Sequence, residues 1–115
     1  GQENAESTGT RQLSGVGGQM DFLEGAYRSK GGKGFICINS SRVTKDGERK
    51  SNILATIPGG STISAPRTMI QYVATEYGIA SLSGKTLRER AEAMASIAHP
   101  DFREELMKYA RENFK

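Results

Sequence analysis

The stretch SGVGGQMDF, residues 14–22, sets Gly15, Gly17 and Gly18 directly ahead of an acid and an apolar run. A main chain this bare suits three tasks: a turn that only glycine can make, a cradle for phosphate, or an amide aimed at developing negative charge. Heading a helix, such a loop offers free N–H groups and the positive end of the peptide dipole to an anion. Two nucleotide motifs are excluded by spacing. No Lys-Ser/Thr pair follows as in a Walker loop, and no apolar strand precedes the glycines as in a dinucleotide fingerprint.

Other residues could carry chemistry, each beside a plainer reading. Asp21 and Glu24 complement the dipole of the helix they open, for a few tenths of a kcal/mol each up to about 1. Glu76 stands between an apolar strand and Gly78, so it projects from a strand end, where α/β folds gather their sites. His99 precedes Pro100 at a helix junction and reads as a cap or a packing residue. Cys37, the single cysteine, reads as a small core residue within FICIN and excludes an internal disulfide. No His, Cys or carboxylate pair has metal-ligand spacing, so no metal is expected.

Charge is placed unevenly. The net charge is +3, with six basic and six acidic residues from Thr86 onward, yet seven basic against two acidic between Arg28 and Lys50. That local excess attracts phosphates. It also suits a solvated hairpin whose lysines guard an edge strand. Nucleic acid is disfavoured, since no aromatics interleave with the cations as a stacking platform requires. No run approaches the roughly 20 apolar residues of a membrane span and no signal peptide is visible, which makes the cytoplasm the expected compartment.

These groups must be positioned by a short chain of 115 residues, enough for one domain with a real core. Its 14 glycines are roughly twice the usual share and predict tight turns and close backbone approaches. The opening GQENAESTGTRQLSG has little apolar content and is expected to be interior to something longer. After the glycine loop, 14–19, the spacing of Met20, Leu23, Ala26 and Tyr27 predicts a short helix. The middle, 34–78, is β-rich. FICINS predicts a buried strand, Asp46-Gly47 a two-residue hairpin turn, and NILATI the antiparallel return. TISAP is expected to be extended before Pro66. MIQYVATEYGIA predicts a further strand running into a turn at Gly78. The end, 86–114, is helical: Thr86 and Glu89 form a capping box, and Leu87, Ala91, Met94 and Ile97 or Ala98 share a face. Pro100 starts a second amphipathic helix through Phe102, Leu106, Tyr109 or Ala110, and Phe114. The Met and aromatic positions here are expected in the core. The fold class is α/β, a small mixed β-sheet with flanking helices.

Taken in order, SGVGGQMDFLEGAYRSKGGK and VATEYGIASLSGKTLRERAEAMASIAHPDFREEL strongly resemble the C-terminal domain of the acetyl-CoA hydrolase/acetate CoA-transferase family. The 4-hydroxybutyrate and butyrate CoA-transferases are the nearest in look, and the resemblance runs from about Gly1 to Lys108. It implies the C-terminal part of a CoA-transferase domain of NagB/RpiA-like fold. It further implies that a glutamate attacks an acyl-CoA, that CoA returns to give a glutamyl-CoA thioester, and that a carboxylate then takes up the CoA. Gly17 would supply the oxyanion amide, Gly15 and Gly18 would keep side chains clear, and Glu76 would position substrate. Gly15, Gly17, Gly18 and Lys30 would meet CoA, with Lys33 competing for the lysine's place. The helices after Gly84 would be structural.

The family's nucleophilic glutamate lies upstream of the glycine loop, and neither Glu3 nor Glu6 matches its motif. The chain is therefore expected to hold half an active site, to be inactive alone, and to need the upstream half of the same enzyme. Acyl-CoA and a short-chain carboxylate are the expected partners, with coenzyme A as substrate, no covalent cofactor, no nucleic acid, no membrane, and a homo-oligomer left open. Hydrolysis of the glutamyl thioester by water, or a non-catalytic CoA- or anion-binding module, are the alternatives.

Overall fold

In the computed structural model, which describes residues 1–115, a two-stranded ribbon (β1, Ser7–Thr8; β2, Arg11–Gln12) leads through the glycine loop into α1, Gln19–Arg28. The helix forms despite Gly25 because Leu23 is buried and Met20 packs on the core, so tertiary contact outweighs the propensity cost. Strand β3, Phe35–Cys37, follows. A hairpin then projects (β4, Ser41–Val43; β5, Arg49–Ser51), and the chain returns as β6, Tyr72–Thr75, and β7, Gly78–Ser81. Helices α2, Leu87–Ser96, and α3, Pro100–Asn113, close the chain.

The central sheet has the order β3-β6-β7, with β3 and β6 parallel and β6 and β7 antiparallel. It is mixed and small, as the α/β class expects. Its pairings differ from those read in the sequence. FICINS forms no ladder with NILATI; the two meet only at their ends, where Asn52 N–H donates to the Ser40 carbonyl at 2.9 Å. Phe35, Ile36 and Cys37 lie opposite Tyr72, Val73 and Ala74, and NILATI runs as irregular chain. A parallel pair needs a long crossover. Here the β4–β5 hairpin fills that crossover, so the local antiparallel pairing belongs to the hairpin alone.

Nor is β3 a buried strand. It forms the edge of the sheet, with Phe35 and Cys37 exposed and Ile36 turned inward. Cys37 is thus an exposed thiol rather than a core residue. MIQYVATEYGIA is a hairpin with Glu76 and Tyr77 at its tip, not one strand ending at Gly78.

The β4–β5 tip is also longer than a two-residue turn. Gly47 N–H donates to the Thr44 carbonyl at 2.9 Å, Thr44 N–H donates to Glu48, and Gly47 alone takes a positive φ, +82°. Asp46 stays at negative φ, so the primed turn that Asp-Gly favours does not form.

The capping box forms as read: Thr86 accepts from Glu89 N–H, and the Glu89 side chain accepts from Thr86 N–H. His99 caps α3, its Nδ1 accepting from Asp101 N–H at 3.3 Å. Alanines take the fully covered places, Ala95 on α2, Ala110 on α3 and Ala98 in the turn between them, which lets the two helices approach closely. Leu87, expected on the buried face, is 45% exposed. Met94 and Leu106 pack against the core, while Phe102, Tyr109 and Phe114 are only half-buried. Leu82, Ile70, Val73 and Ala80 make the centre of the core.

Candidate functional site

The glycine loop hangs between two fixed points. Leu13 and Ser14 N–H groups donate to the Glu6 carbonyl at 2.7 and 3.2 Å, and the next main-chain anchor is Phe22 N–H to Gly18 carbonyl at 3.1 Å. Between them, the N–H groups from Gly15 through Asp21 meet no acceptor in the chain. Every helix leaves its first N–H groups unpaired. Here the loop ahead of the helix adds more, and no side chain caps Gly18.

Gly17 sits at φ +61°, in the left-handed region where a Cβ costs roughly 1–2 kcal/mol. Space is not the constraint, since a Cβ at Gly15 or Gly17 would touch nothing within 4 Å. The backbone conformation requires glycine at 17. What it creates is an exposed row of donors at the positive end of α1.

Glu76 lies at the C-terminal end of β6, as expected of a strand-end acid, and its carboxylate is already engaged. Ser40, which follows β3 and is fully buried, donates its N–H to Oε2 at 2.9 Å and its Oγ–H to Oε1 at 2.6 Å. The Ser40 hydroxyl, then its main-chain N–H, hold the Glu76 pKa below its ordinary 4.5, with His99 a smaller contributor. This clamp joins the ends of two parallel strands. Ser40 was not among the residues singled out from the sequence; its only signal was a small polar residue following an apolar strand.

The two lysines are placed elsewhere. Both are exposed, and neither enters an ion pair. Lys30 and Lys33 follow the C-terminal end of α1, a helix of ten residues, hence about 15 Å of axis away from the loop at its head. Within this chain Gly15, Gly17 and Gly18 lie together in one loop, whereas Lys30 and Lys33 form a second group and Glu76 with Ser40 a third.

None of these residues lines a cleft of about 710 Å³ between the N-terminal segment, β3, the chain after the hairpin, and helices α2 and α3. Glu3, on its wall, has its pKa raised chiefly by burial, with Gln19 opposing the shift and Glu6 adding to it. Arg90, on the rim, donates to the carbonyls of Leu82 and Arg67, both at 2.7 Å. Burial and the neighbouring Arg67 lower its pKa. No group of three His, Cys, Asp or Glu side chains is gathered to hold a metal, and no helix is long and apolar enough to cross a membrane.

Residues 1–110 match the family model described as the acetyl-CoA hydrolase/transferase C-terminal domain. A butyryl-CoA:acetate CoA-transferase of Anaerostipes caccae is 49% identical over 110 residues, covering 96% of this chain and 25% of that protein. A 4-hydroxybutyrate coenzyme A transferase of Clostridium kluyveri is 48% identical over 114 residues, covering 99% and 26%. Among solved structures, RipA from Yersinia pestis superposes with a TM-score of 0.82 at 39% identity, over 97% of this chain and 24% of that one. The chain spans about a quarter of the length of the curated relatives it matches.

Proposed function

The chain belongs to the acetyl-CoA hydrolase/transferase family, as its C-terminal domain, and on that footing we propose that it is one part of a CoA-transferase. The full-length protein moves CoA between an acyl-CoA and a short-chain carboxylate through a glutamyl-CoA thioester. The attacking glutamate belongs to the remainder of the polypeptide. Its carboxylate adds to the thioester carbonyl, the C–S bond breaks, and CoA leaves as thiolate. That thiolate returns to the glutamyl carbonyl as the acyl carboxylate departs, and the incoming acid later takes CoA by the reverse steps. Splitting one transfer in this way replaces a hard step with easier ones.

This chain's share is electrostatic. Each step passes through an oxyanion, and a fixed main-chain donor for such a charge is typically worth about 10²- to 10³-fold in rate. Gly17 supplies that donor, and Gly15 and Gly18 leave the approach open to the thioester. Lys30 and Lys33 attract CoA phosphates, and Glu76, held ionised by Ser40, orients polar groups at the strand ends. The observation that supports this reading best is the row of unpaired N–H groups around Gly17, at a positive φ, ahead of an uncapped helix.

Acetyl-CoA and butyrate, assayed with the full-length protein and with the 115-residue chain, provide the test. Transfer by the full-length protein and none by the chain is expected. Turnover by the chain alone would place the nucleophile within it, and no transfer by the full-length protein would remove the reading. Hydrolysis is separated in the same assay: CoA release that ignores added carboxylate would mark a hydrolase.

A further inference from the structure

One large apolar side chain has no use within the chain. Phe22, in the first turn of α1, is 82% exposed, more than any other large apolar residue. Side chains on a helix lean back toward its N-terminus, and the Phe22 ring follows that rule. A Cβ at Gly18 would lie 3.6 Å from its Cε2 and 3.8 Å from its Cδ2. The ring therefore stands beside the end of the glycine loop, where the N–H groups from Gly15 through Asp21 meet no acceptor.

Its flanks are bare. Neighbours on a helix surface lie three and four residues apart, and for Phe22 the residues at i−4 and i+3 are Gly18 and Gly25. Glycine weakens a helix at an interior position. Gly25 is not at a positive φ, and a Cβ there would touch nothing within 4 Å, so neither backbone nor packing in the chain asks for it. The two glycines leave the ring open to be covered from outside.

A row of unpaired donors beside an exposed phenyl ring suits a group that carries a developing negative oxygen next to apolar carbon. A thioester under attack is such a group. Polypeptide packed onto Phe22 would close the donors next to it, which the oxyanion role requires to be open. We propose that Phe22 is a specificity-determining residue, its ring covering the thioester at the Gly17 amide and keeping water from the glutamyl-CoA carbonyl. The inference rests on the reading above that Gly17 serves an oxyanion in a CoA-transferase.

Without that cover, water adds to the glutamyl carbonyl and the C–S bond breaks. CoA leaves as thiol with one proton of the water, and the glutamate returns as carboxylate while the other proton passes to solvent. With the cover, the intermediate persists until a carboxylate takes up the CoA. Expelling water from a site both prevents hydrolysis of a reactive intermediate and strengthens the electrostatic contacts inside.

The test supplies acetyl-CoA to the full-length protein and follows two products: CoA thiol released without an acceptor, and butyryl-CoA formed when butyrate is added. Phe22→Ala is expected to raise the ratio of hydrolysis to transfer about 10-fold, and Phe22→Gln, which keeps length but not apolarity, to do the same. Phe22→Leu should stay within about two-fold of the parent, because it restores an apolar cover. Thermal midpoints without substrate should move by no more than about 1 °C, since an exposed ring supports no packing.

An unchanged ratio in Phe22→Ala and Phe22→Gln overturns the proposal. So does a fall of both rates together with a midpoint lowered by more than about 3 °C, because packed polypeptide then covers the ring. A parent that hydrolyses acetyl-CoA as fast as it transfers overturns it as well, since nothing there excludes water. The underlying reading fails separately: a parent that forms no butyryl-CoA removes the transferase and this role with it, whereas butyryl-CoA formed at an unchanged ratio removes the role of Phe22 alone.

Discussion

At the C-terminal end, Thr86 and Glu89 exchange hydrogen bonds across the first turn of α2, His99 caps α3, and Arg90 and Arg103 close the carbonyls of Leu82, Arg67 and Ala98. At the head of α1 no comparable device exists. Gly18 offers no side chain, the N–H groups from Gly15 through Asp21 pair with nothing in the chain, and Phe22 stands 82% exposed one turn further on. The same chain that satisfies its polar groups within two helices leaves a row of donors open on the third. Local sequence suffices for the closed region, whereas the open one leaves its donors without acceptors in the chain.

The sharpest way to break this contrast is at Gly17. In the full-length protein, Gly17→Ala keeps the N–H but disfavours the left-handed backbone that aims it, so kcat is expected to fall by up to about 100-fold, the scale of one misplaced oxyanion donor, while KM changes little, because such contacts strengthen at the transition state. Steady-state kinetics with acetyl-CoA and a carboxylate would check it. Since a Cβ there touches nothing, folding should lose only roughly 1–2 kcal/mol from the left-handed conformation. An unchanged kcat would make the loop a plain turn.

Ser40 tests whether the strand ends belong with the closed region or the open one. Ser40→Ala removes one of the two bonds that hold Glu76, and the thermal midpoint of the chain should fall by about 7 °C at neutral pH. The pH dependence has a definite sign. A carboxylate depressed on folding adds stability above its unfolded pKa and loses it as pH falls through its folded one. The gap between parent and variant should therefore be full above pH 4.5 and close progressively below it. Thermal melts from pH 7 to pH 3 would measure this, and a gap that widens in acid would contradict it.

Much of the closed region was legible because its causes are local. T-x-x-E, His-Pro and the apolar spacing fix α2 and α3 within a few residues of one another, and the structure adds only that alanines hold the tightest contacts. The glycine loop and the helix after it were legible for the same reason. The sheet was not. Phe35–Cys37 finds its partner at Tyr72–Thr75, across a hairpin that imitates the expected pairing, and alternation within FICINS cannot tell a parallel partner from an antiparallel one. The Ser40–Glu76 clamp was hidden likewise, since it joins residues 36 positions apart. Ordered motifs identified the family, but they bear on the separate placements of Gly17, Glu76 and the lysines only as proposals.

A smaller effect is expected inside the closed region. Thr86→Ala removes the acceptor of the Glu89 N–H bond and should cost about 1 kcal/mol, or about 4 °C in midpoint for a chain of this size. CoA transfer by the full-length protein should be unaffected at temperatures well below the melt. A loss of kcat from this change would mean that the helical end takes part in the chemistry, and the division between the two regions would fail.

The smallest effect is expected at the lysines, and it decides whether their local charge excess serves CoA or only solvation. Lys30 and Lys33 are exposed and make no ion pair, so removing their charge leaves no buried partner behind. Lys30→Gln and Lys33→Gln should each shift stability by less than about 0.5 kcal/mol. In the full-length protein each should raise KM for acyl-CoA by about two- to five-fold with kcat intact, because an exposed cation attracts phosphate by no more than about 1 kcal/mol. Screening separates the two roles further: repeating the assay at about 0.5 M salt should shrink the difference from the parent, since the attraction is felt through water. The larger response identifies which lysine lies nearer the phosphates, and no response at either site would assign the local charge excess to solvation alone.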